Sequence, residues 1–274
     1  MISSQSSPSG KSASVAVVTG AAGGIGLALI AGLLSAGQHV VAVVRTQSSV
    51  ARLPANPTRM RLVPVVADLA TQDGRDTIER TVRMEFGSLG VLVNNAGVGM
   101  GSIRPDYYKR AVQLREIDGG IVERFLAINA HAPIVLALAL LPLFHQSWGR
   151  IINIGTSLTA MLRPGFLPYA MSKAALEAGS AVLAADLATS GISVNVINPG
   201  GPVDTPMARR EEPELRAAML APEALVAPVL WLASHRSDGV SGKRITASRW
   251  KDDDPQSAMA PIGWPQLAND STWQ

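Results

Sequence analysis

A short strand, a glycine-rich turn and a helix follow one another near the start of the chain, and they constrain its fold more than any other feature. Val15–Thr19 is apolar and largely β-branched, Gly20, Gly24 and Gly26 follow, and residues 27–31 continue as an apolar helical stretch. Such glycines let the backbone approach a pyrophosphate, to which the helix N-terminus offers unpaired N–H groups. The segment predicts the first unit of a dinucleotide-binding fold, although its spacing departs from G-x-G-x-x-G and the glycines could simply build a turn.

The rest of the chain repeats this alternation of apolar runs and helical stretches as far as about residue 247. The alternation predicts an α/β fold, doubly wound in the Rossmann manner, with a mostly parallel seven-stranded sheet and helices on both faces. A length of 274 residues, of which 47% are hydrophobic and 16% charged, suits a single domain with a full core. Strands are predicted near residues 15–19, 39–44, 61–66, 90–93, 150–154, 192–197 and 243–246.

Arg45 stands directly after the second predicted strand. In a dinucleotide fold the end of this strand meets the adenosine ribose, where an acidic residue binds a free 2′-hydroxyl and an arginine suits a 2′-phosphate. The planar guanidinium matches phosphate geometry and carries a permanent charge. We therefore expect NADP(H) to be preferred over NAD(H); the alternative is that Arg45 is a solvated residue at the start of a loop.

Tyr169 and Lys173 stand four residues apart in an Ala-rich helical stretch, so the phenol and the ammonium group lie one turn apart on the same face. A phenol has an unperturbed pKa of about 10, and a neighbouring cation lowers that pKa because it favours the phenolate. The pair indicates a proton donor. Taken alone, it also suits a solvated helix face.

Three motifs in this order resemble the classical short-chain dehydrogenase/reductase family: Thr19-Gly20-x-x-x-Gly24-Ile25-Gly26, Asn94-Asn95-Ala96-Gly97 and Tyr169-x-x-x-Lys173. The resemblance covers roughly residues 13 to 248. It implies that the acid after the third strand contacts the adenine and that the segment from residue 198 to 205 closes over the nicotinamide. The cofactor-binding residues expected on this basis are Gly20, Ala22, Gly24, Ile25, Gly26, Arg45, Asp68, Leu69, Asn95, Ala96, Gly97, Tyr169, Lys173, Pro199, Gly200, Val203 and Thr205.

The family also implies an active-site asparagine, and Asn129 is the matching position. Pro133, four residues later, has no N–H, so within a helix the carbonyl of Asn129 lacks its usual donor and is free to hold a water. In the family such a water links the catalytic lysine to bulk solvent. The alternative is a proline kink beside a buried, locally satisfied asparagine.

Two neighbouring hydroxyls compete for the remaining catalytic position. The usual family spacing to the tyrosine falls on Thr156, and Ser157 follows it. Either hydroxyl can donate to a substrate carbonyl oxygen, and at a strand end adjacent side chains point to opposite sides. We expect Thr156 to polarise the carbonyl and keep Ser157 open.

These parts predict an NADP(H)-dependent oxidoreductase that transfers a hydride between the nicotinamide and a ketone or secondary alcohol of apolar character. No metal is expected, because the four histidines have no ligand spacing and there is no cysteine. Apolar residues that could line the substrate entrance are Met100, Ile103, Tyr107, Tyr108, Met161, Leu162, Phe166, Leu167 and Met207.

Two other functions stay open. One is reduction of a 3-oxoacyl thioester on an acidic carrier protein, which needs a basic patch near the site. The other is a non-catalytic NADP-binding interaction protein, since a fold does not fix a function. The candidates for the basic patch are Arg104, Lys109, Arg110 and Arg163.

The ends of the chain and its partners are predicted from composition. The Ser-rich residues 1–12 are expected to form a disordered tail before the catalytic domain at 13–248, and residues 249–274 a C-terminal extension with three tryptophans. The most apolar stretch, residues 132–144, is too short for a membrane span and is read as a helix in a subunit contact. The family resemblance implies a homodimer or homotetramer in which this helix packs against its symmetry mate. We expect a cytoplasmic protein with a small-molecule substrate and no nucleic-acid or membrane partner.

Overall fold

A computed structural model describes residues 14–56, 58–145, 148–208 and 213–263. Two sequence predictions lie wholly or partly outside these residues: the N-terminal tail at 1–12, and the part of the C-terminal extension that holds Trp264 and Trp273.

The strands form one sheet in the order β3-β2-β1-β4-β5-β6-β7-β8. All neighbours pair in parallel except the last pair, β7 and β8. A parallel sheet of this order has a switch point beside β1, where the connections leave for opposite sides. The strands are β1 (Val15–Thr19), β2 (His39–Val44), β3 (Leu62–Val66), β4 (Val91–Asn94), β5 (Gly149–Ile154), β6 (Ile192–Asn198), β7 (Lys243–Thr246) and β8 (Met259–Pro261).

Helices cover both faces of the sheet, so the inner strands are buried on two sides, namely β1, β2, β4, β5 and β6. Along β1, Ala16 and Val18 pack into one hydrophobic cluster, while Val15 and Val17 pack into the other. This is why the strands are continuous apolar runs rather than alternating ones. The helices are α1 (Gly24–Ser35), α2 (Gln72–Glu85), α3 (Gly119–Leu126), α4 (Ala132–Leu140), α5 (Leu158–Met161), α6 (Leu167–Asp186), α7 (Pro213–Ala217) and α8 (Val226–Leu232).

The described residues form a sheet of eight strands, one more than the seven predicted. The extra strand, β8, has three residues and pairs antiparallel with β7, from Lys243↔Pro261 to Ile245↔Met259. It lies within residues 249–274, the predicted C-terminal extension. A run of three residues that includes a proline carries no periodic signal, and proline is tolerated at a sheet edge.

The apolar stretch before β5 is longer than predicted. Helices α3 and α4 are joined by a π-helical turn, Ala127–His131, and the whole helical run Gly119–Leu143 has 25 residues. The wider turn, in which Ala132 N–H donates to the Ala127 carbonyl, carries the helix into Pro133 without a break. By length and composition alone the run could cross a membrane, but buried core helices meet the same criterion, and here α4 packs against α2 and α6.

Candidate active site

The glycine turn lies at the carboxyl end of β1, at the switch point of the sheet. Gly20 has a positive φ of 65°, and the Gly23 N–H donates to its carbonyl at 3.0 Å. Helix α1 begins at Gly24 with no side chain bonded at its N-cap and no acidic residue in its first turn. Its first N–H groups therefore face outward without a protein carboxylate, which suits an anion.

Close packing explains why glycine occupies three positions of the turn. A Cβ atom on Gly26 would lie 2.3 Å from the Gly20 carbonyl oxygen, and one on Gly20 would lie 2.8 Å from Ala96 Cα. A Cβ on Gly24 would lie 2.8 Å from Thr205 Cγ2. The turn thus contacts the loop after β4 at Gly20 and the loop after β6 at Gly24, while Gly26 packs against the turn's own backbone. A larger residue at any of the three positions would require its neighbours to move.

Thr19 ties the first two motifs together. Its hydroxyl accepts hydrogen bonds from the N–H groups of Asn95 at 3.0 Å and Ala96 at 3.1 Å. The Asn95 side-chain amide donates in return to the carbonyls of Thr19 at 2.9 Å and Gly20 at 3.1 Å. The asparagine side chain therefore holds the glycine turn.

Asn129 is completely buried in the π-helical turn. Its side-chain oxygen accepts from the Val98 N–H at 2.8 Å, and its amide donates to the Val98 carbonyl at 2.9 Å and to the Ser172 hydroxyl at 3.0 Å. Ser172 in turn donates to the Tyr169 carbonyl at 2.8 Å. The asparagine side chain thus links the loop after β4 to the helix that carries Tyr169.

Lys173 is buried on α6 and reaches the end of β5. Its ammonium donates to the Ile154 carbonyl at 2.8 Å, and a Cβ on Gly97 would lie 4.0 Å from Nζ. Removal from water penalises the cation and lowers the pKa of Lys173 from 10.5 to about 8. Within the described residues, Ile154 is its single hydrogen-bond partner, so this buried cation keeps capacity for a ligand.

Thr156 and Ser157 have different partners. The Thr156 side chain is hydrogen-bonded to the Tyr169 phenol. The Ser157 hydroxyl instead accepts from the Ala160 N–H at 3.1 Å as the N-cap of α5. Local structure therefore distinguishes the two hydroxyls: that of Thr156 faces the phenol, and that of Ser157 caps the start of α5.

The pKa of Tyr169 differs in direction from the sequence prediction. Burial raises the pKa of the phenol above 10.0, the bond to Thr156 lowers it, and the nearby Tyr107 phenol raises it. The expected lowering of this pKa by Lys173 was wrong, because desolvation penalises the phenolate more than its neighbours stabilise it. Tyr169 is therefore a neutral phenol that can donate a proton.

The candidate adenosine-binding residues lie farther along the same edge. Arg45 is exposed at the end of β2, next to the glycine turn, where Ala21 N–H donates to the Val43 carbonyl at 3.0 Å. Asp68 is exposed after β3, and its carboxylate accepts from the Ala70 N–H at 2.9 Å. The Leu69 carbonyl accepts from Arg75 at 2.8 Å. These residues share an edge with the glycine turn but have no direct contact with Tyr169 or Lys173 among the described contacts.

The segment after β6 returns to the site from the other side. Gly200 has a positive φ of 88°, and the Pro199 carbonyl accepts from the Ser248 N–H at 3.0 Å. Val203 is buried, and Thr205 lies against the glycine turn. The structure thereby brings the predicted segment from 199 to 205 to the predicted cofactor site.

An apolar wall stands beside Tyr169. Tyr107 and Tyr169 each pack edge-on against Phe166, with ring centroids 5.8 and 6.2 Å apart. Met207 lies over Gly99, where a Cβ would be 2.7 Å from its Cγ. Of the predicted lining residues, Leu162 is 79% exposed and stands apart from this wall. Met100 and Ile103 pack in the same cluster as Tyr107, Phe166 and Tyr169.

Three participants were not singled out from the sequence: the Thr19 hydroxyl, the Ser172 hydroxyl and the Ile154 carbonyl. Thr19 and Ser172 occur inside the quoted motifs, as the residues before Gly20 and before Lys173. Both hydroxyl residues are buried, and their positions inside the motifs are the sequence signal that could have identified them. The Ile154 carbonyl is a main-chain group and leaves no sequence signal.

The chain is similar to several known proteins. The family model described as short chain dehydrogenase matches residues 14–216. A 2-(R)-hydroxypropyl-CoM dehydrogenase of Xanthobacter autotrophicus is 32% identical over 213 residues, which is 76% of this chain and 82% of the relative. A 3-oxoacyl-(acyl-carrier-protein) reductase of Salmonella typhimurium is 28% identical over 245 residues, 84% of this chain and 94% of its own. The solved angucycline C-6 ketoreductase LanV with bound NADP has a TM-score of 0.74 and 29% identity, and the match covers 85% and 93% of the two chains.

Proposed function

This chain belongs to the short-chain dehydrogenase/reductase family, oxidoreductases that act on alcohol and carbonyl groups, and we propose that it is an NADP(H)-dependent reductase of ketones with apolar bulk. One observation carries the proposal: Thr156 is bonded to the neutral phenol of Tyr169 beside the buried ammonium of Lys173, at the edge that also holds the glycine turn. A hydroxyl pair and a fixed cation are what a carbonyl oxygen needs as it gains charge.

In the proposed reaction the nicotinamide cofactor supplies or accepts the hydride. Thr156 donates to the carbonyl oxygen, and Tyr169 transfers its proton to the same oxygen as charge develops there. Lys173, held at the Ile154 carbonyl at 2.8 Å, stabilises the phenolate that remains. Asn129 keeps the loop after β4 and helix α6 in register through its bonds to Val98 and Ser172.

The residues of the glycine turn fit a pyrophosphate. The N-terminus of α1 is open, since Gly23 and Gly24 place no Cβ there, and its first turn has no acidic residue. The cofactor-binding roles proposed for Asn95, Ala96, Gly97 and the segment 199–205 follow from their positions around this turn. Arg45 at the end of β2 favours NADP(H), and the NADP bound to LanV supports the same cofactor for this chain.

The apolar wall supports the substrate class. Tyr107, Phe166 and Met207 stand beside Tyr169 and the loop after β4, and offer aromatic and thioether surface to an apolar ketone. LanV, a ketoreductase by its name, is similar in fold. The turnover measurements described below determine the substrate of this chain and the direction of its reaction.

The alternative substrate, a 3-oxoacyl group on a carrier protein, is favoured by the similarity to the Salmonella reductase. The proposed basic patch supports it less. Arg104 is paired with Asp106 at 2.8 Å and Glu116 at 3.1 Å, and Arg110 is within 3.6 Å of Glu116. Arg163 stacks over Phe166 at 4.7 Å. These pairings offset part of the positive charge that an acidic carrier would need.

Turnover measurements test the proposal. NADPH and NADH oxidation is followed with a panel of bulky ketones, diketones and 3-oxoacyl thioesters, free and carrier-bound. We expect the highest kcat/KM for NADPH with an apolar ketone. A carrier-bound thioester as the best substrate would replace the proposed substrate class, and NADPH binding without turnover of any carbonyl would favour a non-catalytic NADP-binding protein.

We further propose a homodimer or homotetramer and a cytoplasmic location. Leu138 on α4 and Met171 and Val182 on α6 are 48%, 42% and 59% exposed, on two helices that pack against each other. Such apolar side chains on neighbouring helices suit a contact with a second copy. Light scattering of the purified chain tests the oligomer, and a monomer at micromolar concentration would refute it.

A further inference from the structure

A buried charge pair joins the catalytic helix to the C-terminal part of the sheet. Glu177 lies one turn after Lys173 on α6 and is 1% exposed, and Arg244 on β7 is 9% exposed at its side chain. Arg244 Nη2 donates to Glu177 Oε1, and the same oxygen accepts from the Gly263 N–H at 3.0 Å. Arg244 also donates to the Gly263 carbonyl at 3.4 Å. We call this group the Glu177–Arg244–Gly263 anchor.

The anchor lies behind the proposed catalytic groups. Residues four apart on a helix share a face, so Glu177 and Lys173 both point toward the strand ends. A Cβ on Gly155 would lie 3.9 Å from Glu177 Oε2, and Gly155 stands between Ile154, which holds the Lys173 ammonium, and Thr156. The carboxylate is therefore next to the peptide that connects the lysine's acceptor to the threonine.

The C-terminal segment is held at two points by the same arginine. The Arg244 backbone pairs with Ala260 of β8, while its side chain reaches Glu177 and the Gly263 carbonyl. The Ile262 N–H adds a bond to the Gly242 carbonyl at 3.0 Å. The segment 259–263 is thereby connected to α6 at the turn that follows Lys173.

We propose that the Glu177–Arg244–Gly263 anchor positions Lys173 and Thr156 for the reaction, so that the docked C-terminal segment sets the geometry of the active site. Glu177 is a positioning residue, since it acts through the helix and the end of β5 and touches no reacting atom. This inference rests on the proposed function. A small displacement of a catalytic group from its productive position can reduce the rate by about a hundredfold.

The decisive variant is the double substitution Glu177→Leu with Arg244→Met. An apolar pair can replace a buried ion pair without loss of the fold, yet it removes the polar tie to Gly263. We expect kcat to fall by about tenfold or more, the KM for NADPH to change by less than about twofold, and the pH profile of kcat to shift. Arg244→Lys, which keeps a cation for Glu177, should recover most of kcat.

A matched control removes another pair with a buried arginine. Arg150 and Asp238 form an ion pair at the opposite end of β5. Arg150→Met with Asp238→Leu should leave kcat within about twofold of the parent chain, because this pair is remote from Lys173. A loss of kcat in the control equal to that in the Glu177 variant would overturn the specific role of the anchor.

Gly263→Ala provides a second route that leaves both charges in place. Gly263 has a φ of 83°, which alanine disfavours, and no atom of the residues that the structure describes would contact the added Cβ within 4 Å. The substitution should lower kcat in the same direction by a smaller factor. If the double variant folds and keeps full kcat, the positioning role of the anchor is overturned and the proposed function is unaffected. If the double variant does not fold, full kcat in Gly263→Ala overturns that role instead. A parent chain that turns over no carbonyl overturns the proposed function as well.

Discussion

A buried cation lies at each end of strand β5, and the two cations differ in how many hydrogen-bond acceptors surround them. At the amino end, Arg150 is 3% exposed and donates to the carbonyls of Leu232, Gly149 and Ser234 and to the carboxylate of Asp238. At the carboxyl end, Lys173 is 7% exposed and donates only to the Ile154 carbonyl within the described part of the chain.

The difference separates a cation that holds the fold from one that is available for chemistry. A buried charge that is fully hydrogen-bonded stabilises one arrangement, and its removal leaves acceptors without donors. A buried charge with few partners costs stability and persists where a function needs it. We therefore interpret the amino end of β5 as structural and propose that its carboxyl end receives a ligand.

Removal of the Tyr169 hydroxyl, at the carboxyl end of the sheet, should have the largest effect on kcat. Tyr169→Phe should lower kcat by about 100- to 10,000-fold, because the variant loses the proton donor while its ring still packs against Phe166. Steady-state kinetics with NADPH and the best ketone measure this. NADPH affinity, from fluorescence titration, should stay nearly unchanged. Equal activity in the variant would remove Tyr169 as the acid.

Replacement of the two buried cations should change stability with opposite signs. Lys173→Met should stabilise the ligand-free chain at pH 7 by about 2 kcal/mol, because the lowered pKa of about 8 corresponds to a cost of about 3 kcal/mol and the Ile154 carbonyl loses a bond worth about 1 kcal/mol. Arg150→Met should destabilise it by about 2 kcal/mol, because several carbonyls lose their donor. Denaturant unfolding of both variants measures the two values, and the same sign in both would break the comparison.

The pH dependence of stability gives an independent check of Lys173. Between pH 8 and 10.5 the unfolded lysine holds its proton while the folded one has lost it, so the stability of the parent chain should rise with pH in this window. The raised pKa of Tyr169 acts in the opposite direction only above pH 10. Measurements from pH 8 to 9.5 should show a rise in the parent chain that is absent in Lys173→Met.

The sequence predicted the strands of the sheet well. The apolar runs indicated the positions of β1 to β7, because strands in the interior of a covered sheet are continuous and apolar. The glycines after β1 predicted a tight turn at that position, although their spacing departs from G-x-G-x-x-G. Tertiary contacts decided the rest. The strand β8 owes its existence to pairing with β7, and Thr156 and Ser157 are told apart by their partners, Tyr169 and Ala160.

The direction of the Tyr169 pKa shows why the remainder could not be predicted. The sequence indicates which charges are near, but the extent of burial is a property of the folded chain and here outweighs them. The π-helical turn before Pro133 is a similar case. Proline forbids one hydrogen bond, and only the surrounding packing determines whether the helix ends, kinks or widens.

A substitution at the end of β2 should change the choice of cofactor and leave the chemistry intact. Arg45→Asp should reduce kcat/KM for NADPH relative to NADH by about tenfold to a hundredfold. The variant loses a charge-assisted bond to the 2′-phosphate and places a negative carboxylate near that negative group. Arg52→Asp, another exposed arginine in the same loop, is the matched control and should leave the ratio unchanged. An unchanged ratio in Arg45→Asp would refute its contact with the cofactor.

The smallest effect should come from the hydroxyl that caps a helix. Ser157→Ala should destabilise the chain by about 1 kcal/mol, because the Ala160 N–H loses its acceptor at the start of α5, and it should leave kcat within about twofold. Thr156→Val, one residue earlier, should show the reverse: kcat lower by about tenfold or more, with stability nearly unchanged. Thermal unfolding and steady-state kinetics of the two variants decide the assignment. If Ser157→Ala loses the activity and Thr156→Val keeps it, the serine is the group that polarises the carbonyl. The segment after β5 must then change conformation when substrate binds, so that the Ser157 hydroxyl faces Tyr169.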